Sequence, residues 1–187
     1  MPRHILAPAL AFAALASAQT AHAQQQQGCV APADLGDAVV YAMPIAFDAA
    51  RNACANRLSR DGFMAKGGEA FIANFRAQQN AAWPGAFRLL KSFAAKDNSS
   101  GEKSELDIAD LLVGIPEDAL RPFVDGMVGQ MIAQEIKGDS CDKIERGLEL
   151  VSPLPTENVG GLFAFIAEMA DLKKPSICAV TPSQAKK

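Results

Sequence analysis

The side chains with which this 187-residue chain could do chemistry are four cysteines, two histidines and 21 carboxylates. Cys29, Cys54, Cys141 and Cys178 are even in number and form no CxxC motif. In an exported chain that pattern favours two structural disulfides over metal ligation or thiol redox work. His4 and His22 both precede a predicted cleavage point between Ala23 and Gln24. A chain cut there has no imidazole for a Ser-His-Asp triad, a Cys-His pair or a His-ligated metal. No Walker loop, dinucleotide fingerprint or EF-hand loop occurs, and no cofactor is expected. Carboxylate chemistry survives this filter, and glycan cleavage by an acid pair is its relevant form. The candidates in apolar surroundings are Glu135 and Glu168. Both also read as solvated residues. Glu168 projects nearly opposite the stripe Val159, Leu162, Phe163, Ile166 and Met169, and Glu135 falls off the stripe of its own helix. A single Trp and a single Tyr are few for a sugar cleft.

The cleavage point follows from the three parts of a secretory signal over residues 1–23. Arg3 supplies the positive start, residues 5–18 an apolar run, and Ala21-His22-Ala23 the small-x-small site. That run is shorter than the ~20 residues a membrane-spanning helix requires, and no later stretch approaches that length. Periplasmic or secreted localisation is expected, without stable membrane insertion. Removing residues 1–23 takes away Arg3 and no acid, so 18 basic and 21 acidic side chains become 17 against 21, a net charge of −4. That balance gives no broad electrostatic reason to bind nucleic acid.

The elements that must position these groups are helical. Apolar residues recur at steps of three and four, strict alternation is missing, and alanine is abundant. We expect an all-α, single-domain bundle of about six to eight short helices, stapled by disulfides. Residues 24–31 form a flexible lead-in, 32–180 the helical domain and 181–187 a disordered tail. Leu35, Val39, Met43, Phe47, Ala50, Cys54 and Leu58 make one stripe, interrupted by Pro44 but in constant phase. It is either one kinked helix or two helices meeting at Pro44. Gly67-Gly68 opens a helix that meets Trp83-Pro84, where a second begins, with Trp83 as a core anchor at the junction. Residues 97–103 read as a loop, and Ser104 with Asp107 as a capping box for another helix. Pro116-Glu117-Asp118 opens the most regular stripe: Leu120, Phe123, Val124, Met127, Val128, Met131, Ile132 and Ile136. Pro122 near its start could split off the first turn. Gly126, Gly129 and Ala133 beside the stripe would admit a close neighbour, and Gly138 serves as a C-cap. Cys141, Ile144, Leu148 and Val151 mark the next helix, and Thr156 to about Leu172 the last, with Gly160-Gly161 as a close-packing point.

This reading carries a disulfide preference. A hairpin of the last two helices would bring Cys141 to Cys178, leaving Cys29 for Cys54 if the chain reverses near Pro44. A continuous first helix would instead hold Cys29 and Cys54 on the order of 30 Å apart.

Cys29-Val30-Ala31-Pro32, Ala42-Met43-Pro44 before Cys54, Ala82-Trp83-Pro84 and Ser152-Pro153-Leu154-Pro155 with the helix after it are distributed over most of the chain beyond residue 23. Together they resemble a family of small exported helical proteins of alphaproteobacteria, a likeness that implies bacterial export and lends no catalytic residues. The leading expectation is a non-enzymatic structural or interaction module, with another envelope protein or a peptide as partner. Met127 and Met131 exposed in an apolar groove would favour peptide binding. The alternative is a carboxylate-dependent cell-envelope enzyme such as a glycan hydrolase. A third reading, a carrier of a small apolar ligand, needs a cavity of several hundred cubic ångströms.

Overall fold

The computed structural model describes residues 29–100, 115–170 and 176–178. The signal segment with Ala23 and Gln24, the Ser104/Asp107 capping box and the tail at 181–187 lie outside them. Six α-helices and one 3-10 turn make up the regular structure among these residues: α1 Pro32–Ala53, α2 Phe63–Lys66, α3 Gly68–Ser100, α4 Glu117–Glu135, the 3-10 turn Gly138–Ser140, α5 Cys141–Val151 and α6 Thr156–Met169. The fold is all-α and stapled by two disulfides. The helices are not uniformly short, since α1 has 22 residues and α3 has 33.

α1 is the central element, and α3, α4 and α6 pack around it. Pro32 sits in its first turn, where a missing N–H costs nothing, and Asp34 complements the dipole. Pro44 lies inside the helix and does not divide it. An interior proline costs about 3 kcal/mol. Here the ring is buried with Val40, Tyr41, Phe47 and Ala50, and that burial offsets the loss. α3 likewise passes unbroken through Trp83-Pro84, because Phe71, Ile72, Phe75, Ala82, Trp83, Ala86 and Phe87 form one continuous buried face on either side of it. Trp83 is thus a core anchor in mid-helix and not at a junction. The expected loop at 97–103 is corrected over 97–100, where helix continues to Ser100, and its remainder at 101–103 lies outside the described residues. Asp, Asn and Ser cost only about half a kcal/mol each in a helix already nucleated.

The core unites Val40, Tyr41 and Phe47 of α1, Met64 of α2, the α3 face, Leu120 and Val124 of α4, and Val159 of α6. Phe63, Phe71 and Phe75 stack edge to face, and Trp83 touches both Tyr41 and Phe87. Outside this core, Arg76 bridges Asp48 of α1 to Glu69 of α3, an exposed link of small energetic weight.

Three other expectations are corrected. α4 ends at Glu135, and Gly138 opens the 3-10 turn instead of capping the helix. Pro122 stays inside α4 and splits nothing off. Of the three small residues beside the α4 stripe, only Gly129 meets a neighbour: a β-carbon there would lie 3.3 Å from Ile45 Cγ2, whereas one on Gly126 would meet open space, and Ala133 is exposed.

The disulfides are Cys29–Cys178 and Cys54–Cys141, with Cα–Cα distances of 5.0 and 5.7 Å. Both differ from the hairpin pairing. Continuous α1 separates Cys29 from Cys54 by a full helix length, about 33 Å at 1.5 Å per residue. The last two helices do not form the expected hairpin either. α5 packs on α2, and α6 packs on α1. The cause is Gly160: a β-carbon there would come within 2.8 Å of Gly36 O, so only glycine at that position lets these backbones meet. α6 therefore carries the chain back to the start of α1. There Val30 N–H donates to Ser176 O (2.8 Å) and Cys178 N–H to Val30 O (2.9 Å), which sets Cys178 beside Cys29.

Candidate functional site

Packing α6 onto α1 through glycine leaves a groove between α1, α3 and α6, with a volume of about 510 Å³. Pro32, Val40, Ala81, Ala82, Ala164 and Phe165 make its apolar walls, and Gly36, Gly160 and Gly161 its floor. Among the described residues its charged lining is entirely acidic: Asp37 from α1, and Glu157 and Glu168 from the two ends of α6. On α6 the positions 157, 161, 164, 165 and 168 repeat at helical spacing, so one face of that helix carries the whole contribution.

Asp37 is the most constrained of the three acids. Its side chain lies against Gly85 of α3, where an added β-carbon would fall 2.5 Å from Asp37 Cβ. Burial pushes its carboxyl pKa up, the neighbouring Asp34 adds to that, and Arg88 partly opposes it. Arg88 is itself engaged by Asp34, donating from Nε (3.0 Å) and Nη2 (2.7 Å) to Oδ1. The sequence reading missed Asp37. The available signal was a like-charged pair, Asp34 and Asp37, three residues apart on one helix face beside Gly36.

The linkage is testable. Below its ordinary value of 3.8, Asp37 is protonated in both folded and unfolded chains. As pH rises above 3.8 the unfolded carboxyl ionises before the folded one, so folding loses stability until the raised folded pKa is passed. Asp37→Asn is expected to remove that loss. Its melting temperature at pH 7 should equal or exceed that of the parent, with the gap closing as pH falls toward 3.5. Thermal melts of both proteins across this range check it, and a variant less stable at pH 7 than at pH 3.5 relative to the parent contradicts it.

The acids singled out from sequence separate here. Glu168 lines the groove while remaining exposed, and Glu135 sits exposed on α4 away from it. The apolar stripes also need correcting. Leu162, Phe163, Ile166 and Met169 of α6, read as core, face outward with exposures of 39, 44, 53 and 71%. α6 is drawn to α1 by its small-residue side, Gly160 and Ala164, which turns the bulky side to solvent. On α4 only Leu120 and Val124 are buried, Met127 is half-buried, and Phe123 and Met131 are exposed. α4 leans on α1 along one edge.

A second cluster joins α1, α3 and α4. The Tyr41 hydroxyl donates to Asp125, and Arg121 lies 5.3 Å over the Tyr41 ring and 6.0 Å over Trp83 while bonding Asn80 Oδ1 at 2.5 Å. Burial and the Asp125 carboxylate hold the Tyr41 proton well above the ordinary phenol range. A tyrosine so held supplies no tyrosinate base or nucleophile near neutral pH. The cluster latches three helices together.

All four cysteines are disulfide-bonded. Among the described residues no three His, Cys, Asp or Glu side chains stand close enough to hold a metal ion, and no helix is long and apolar enough to cross a membrane. Fold and groove together define a disulfide-stapled helical domain bearing one acid-lined apolar groove beside an outward apolar helix face. No family model, curated protein or solved structure matches the chain.

Proposed function

We propose that this chain is an exported, non-enzymatic interaction module that engages a peptide or envelope-protein partner through α6. One observation carries the reading: Leu162, Phe163, Phe165, Ile166 and Met169 are all at least 39% exposed on a single helix. A contiguous apolar surface of this kind marks binding faces more often than inert ones. Export to the periplasm or beyond is supported by the signal-like residues 1–23 and by two disulfides, which persist in oxidising compartments.

The test is pull-down from envelope extract with the chain from Gln24 onward, compared with a Phe163→Ser/Ile166→Ser/Met169→Gln triple variant. Because these side chains are exposed, the triple is expected to melt within a few degrees of the parent and to lose the partner. Equal retention of the partner by parent and triple overturns the reading.

The alternative, a carboxylate-dependent cell-envelope enzyme such as a glycan hydrolase, is favoured by one specific feature. Asp37, with a raised pKa, shares a groove with Glu157 and Glu168, as an acid and base pair would. Among the described residues its walls carry a single aromatic, Phe165, which is a poor sugar platform. Peptidoglycan cleavage by the parent that is lost in both Asp37→Asn and Glu168→Gln would establish it.

A further inference from the structure

We infer that the groove between α1, α3 and α6 receives a lysine or arginine side chain of a partner peptide whose apolar residues lie on the outer face of α6. This deepens the interaction reading and rests on it. Charge complementarity selects the occupant. Among the described residues every charged side chain lining the groove is an acid, and Arg88, the cation nearest Asp37 in effect, is bonded to Asp34. Asp37 therefore lines the groove partly desolvated and, among the described residues, without a cation bonded to it, an arrangement that an incoming ammonium or guanidinium relieves.

The walls suit the rest of such a side chain. Lys and Arg lay methylene stems along apolar surface while the charged head seeks a carboxylate. Ala81, Ala164 and Phe165 offer that surface, with Asp37, Glu157 and Glu168 beside it. A volume of about 510 Å³ falls in the range of small-ligand sites, which is ample for one long side chain and its flanking backbone. Phe165 makes the groove and the outer face continuous: it lines the groove and is 56% exposed. A peptide with a basic residue among apolar ones can thus fill both at once.

The experiment uses the disulfide-intact chain from Gln24 onward and three fluorescent twelve-residue peptides that are rich in Leu and Phe. They differ at one central position, which is Lys, norleucine or Glu. Anisotropy titration is expected to rank Lys over norleucine over Glu, with Lys and Glu separated by at least about tenfold in Kd. An Asp37→Asn/Glu157→Gln/Glu168→Gln variant should shrink that separation to about twofold while retaining the norleucine peptide. Melting curves certify that this variant is folded. Equal affinity for the three peptides, or an undiminished preference in the acid-to-amide variant, overturns the inference. In that event binding that is still lost in the Phe163→Ser/Ile166→Ser/Met169→Gln triple leaves the interaction reading standing. Spermidine binding alone at an affinity matching the Lys peptide assigns the groove to free polyamines and overturns the peptide proposal. A dimer in sedimentation that the acid-to-amide variant abolishes assigns it to a second copy and does the same.

Discussion

Trp83→Ala is expected to destabilise the fold by about 3–5 kcal/mol, the usual range for deleting a large buried aromatic. A domain of this size has only about 5–15 kcal/mol in total, so the variant should sit near the edge of folding at 37 °C. Trp83 is 4% exposed and packs on Tyr41 at 4.9 Å and Phe87 at 5.3 Å between ring centroids. Arg121 covers it from α4. Removing the indole would empty the space where α1, α3 and α4 meet, and would leave the Arg121 guanidinium over a void. Urea unfolding followed by circular dichroism gives the number. Trp83→Phe is the informative companion. The Trp83 Nε1 hydrogen is buried without a hydrogen-bond partner, so Phe loses volume and also removes an unsatisfied donor. Both substitutions remove that donor, so Phe is expected to cost about 1–2 kcal/mol less than Ala because its ring still fills part of the space. Equal losses for Phe and Ala would show that ring packing at this position carries no weight.

The second large effect is expected from Cys54→Ala/Cys141→Ala, at about 2–5 kcal/mol. The crosslink spans 87 residues, and its release restores much of the conformational freedom of the unfolded chain. Both sulfurs are almost completely buried, at 0 and 1% exposure, so the bridge also fills the space between the end of α1 and the start of α5. Cys29–Cys178 closes a longer loop of 149 residues, yet it joins two extended segments that are only partly buried. Mild reductant is therefore expected to open Cys29–Cys178 first, and thiol-labelling with peptide mapping reads the order. Labelling of Cys54 or Cys141 ahead of Cys29 would contradict this account. The same map without reductant should yield 29–178 and 54–141 linked peptides.

Much of the secondary structure was legible in the residues. The three-and-four spacing placed α4, α5 and α6 within a few positions of their observed bounds, while the α1 stripe ran on to Leu58 past the observed end at Ala53. Gly67-Gly68 marked the entry to α3, and a β-carbon at Gly68 would lie 2.8 Å from the Phe47 ring. Local rules failed where burial outweighed them. Pro84 read as the start of a new helix and Pro44 left one or two helices open, but each sits in a helix whose apolar residues on both sides face the same core. A proline penalty of about 3 kcal/mol is local, whereas the burial opposing it is summed over several turns.

The sequence by itself determined that the fold is helical and that its cysteines suit disulfides, because backbone periodicity and thiol count are properties of the chain alone. It also identified which side of α6 is bulky. Only the tertiary structure decided which side is buried. Gly160 admits the α1 backbone at Gly36 closer than any side chain at position 160 would allow, so α6 docks by its small side and exposes Leu162, Phe163, Ile166 and Met169. That one choice brings Cys178 to Cys29 and opens the groove over Asp37. Disulfide pairing and groove both depend on where the ends of different helices come to rest in space. Periodicity along a single helix carries no information about that.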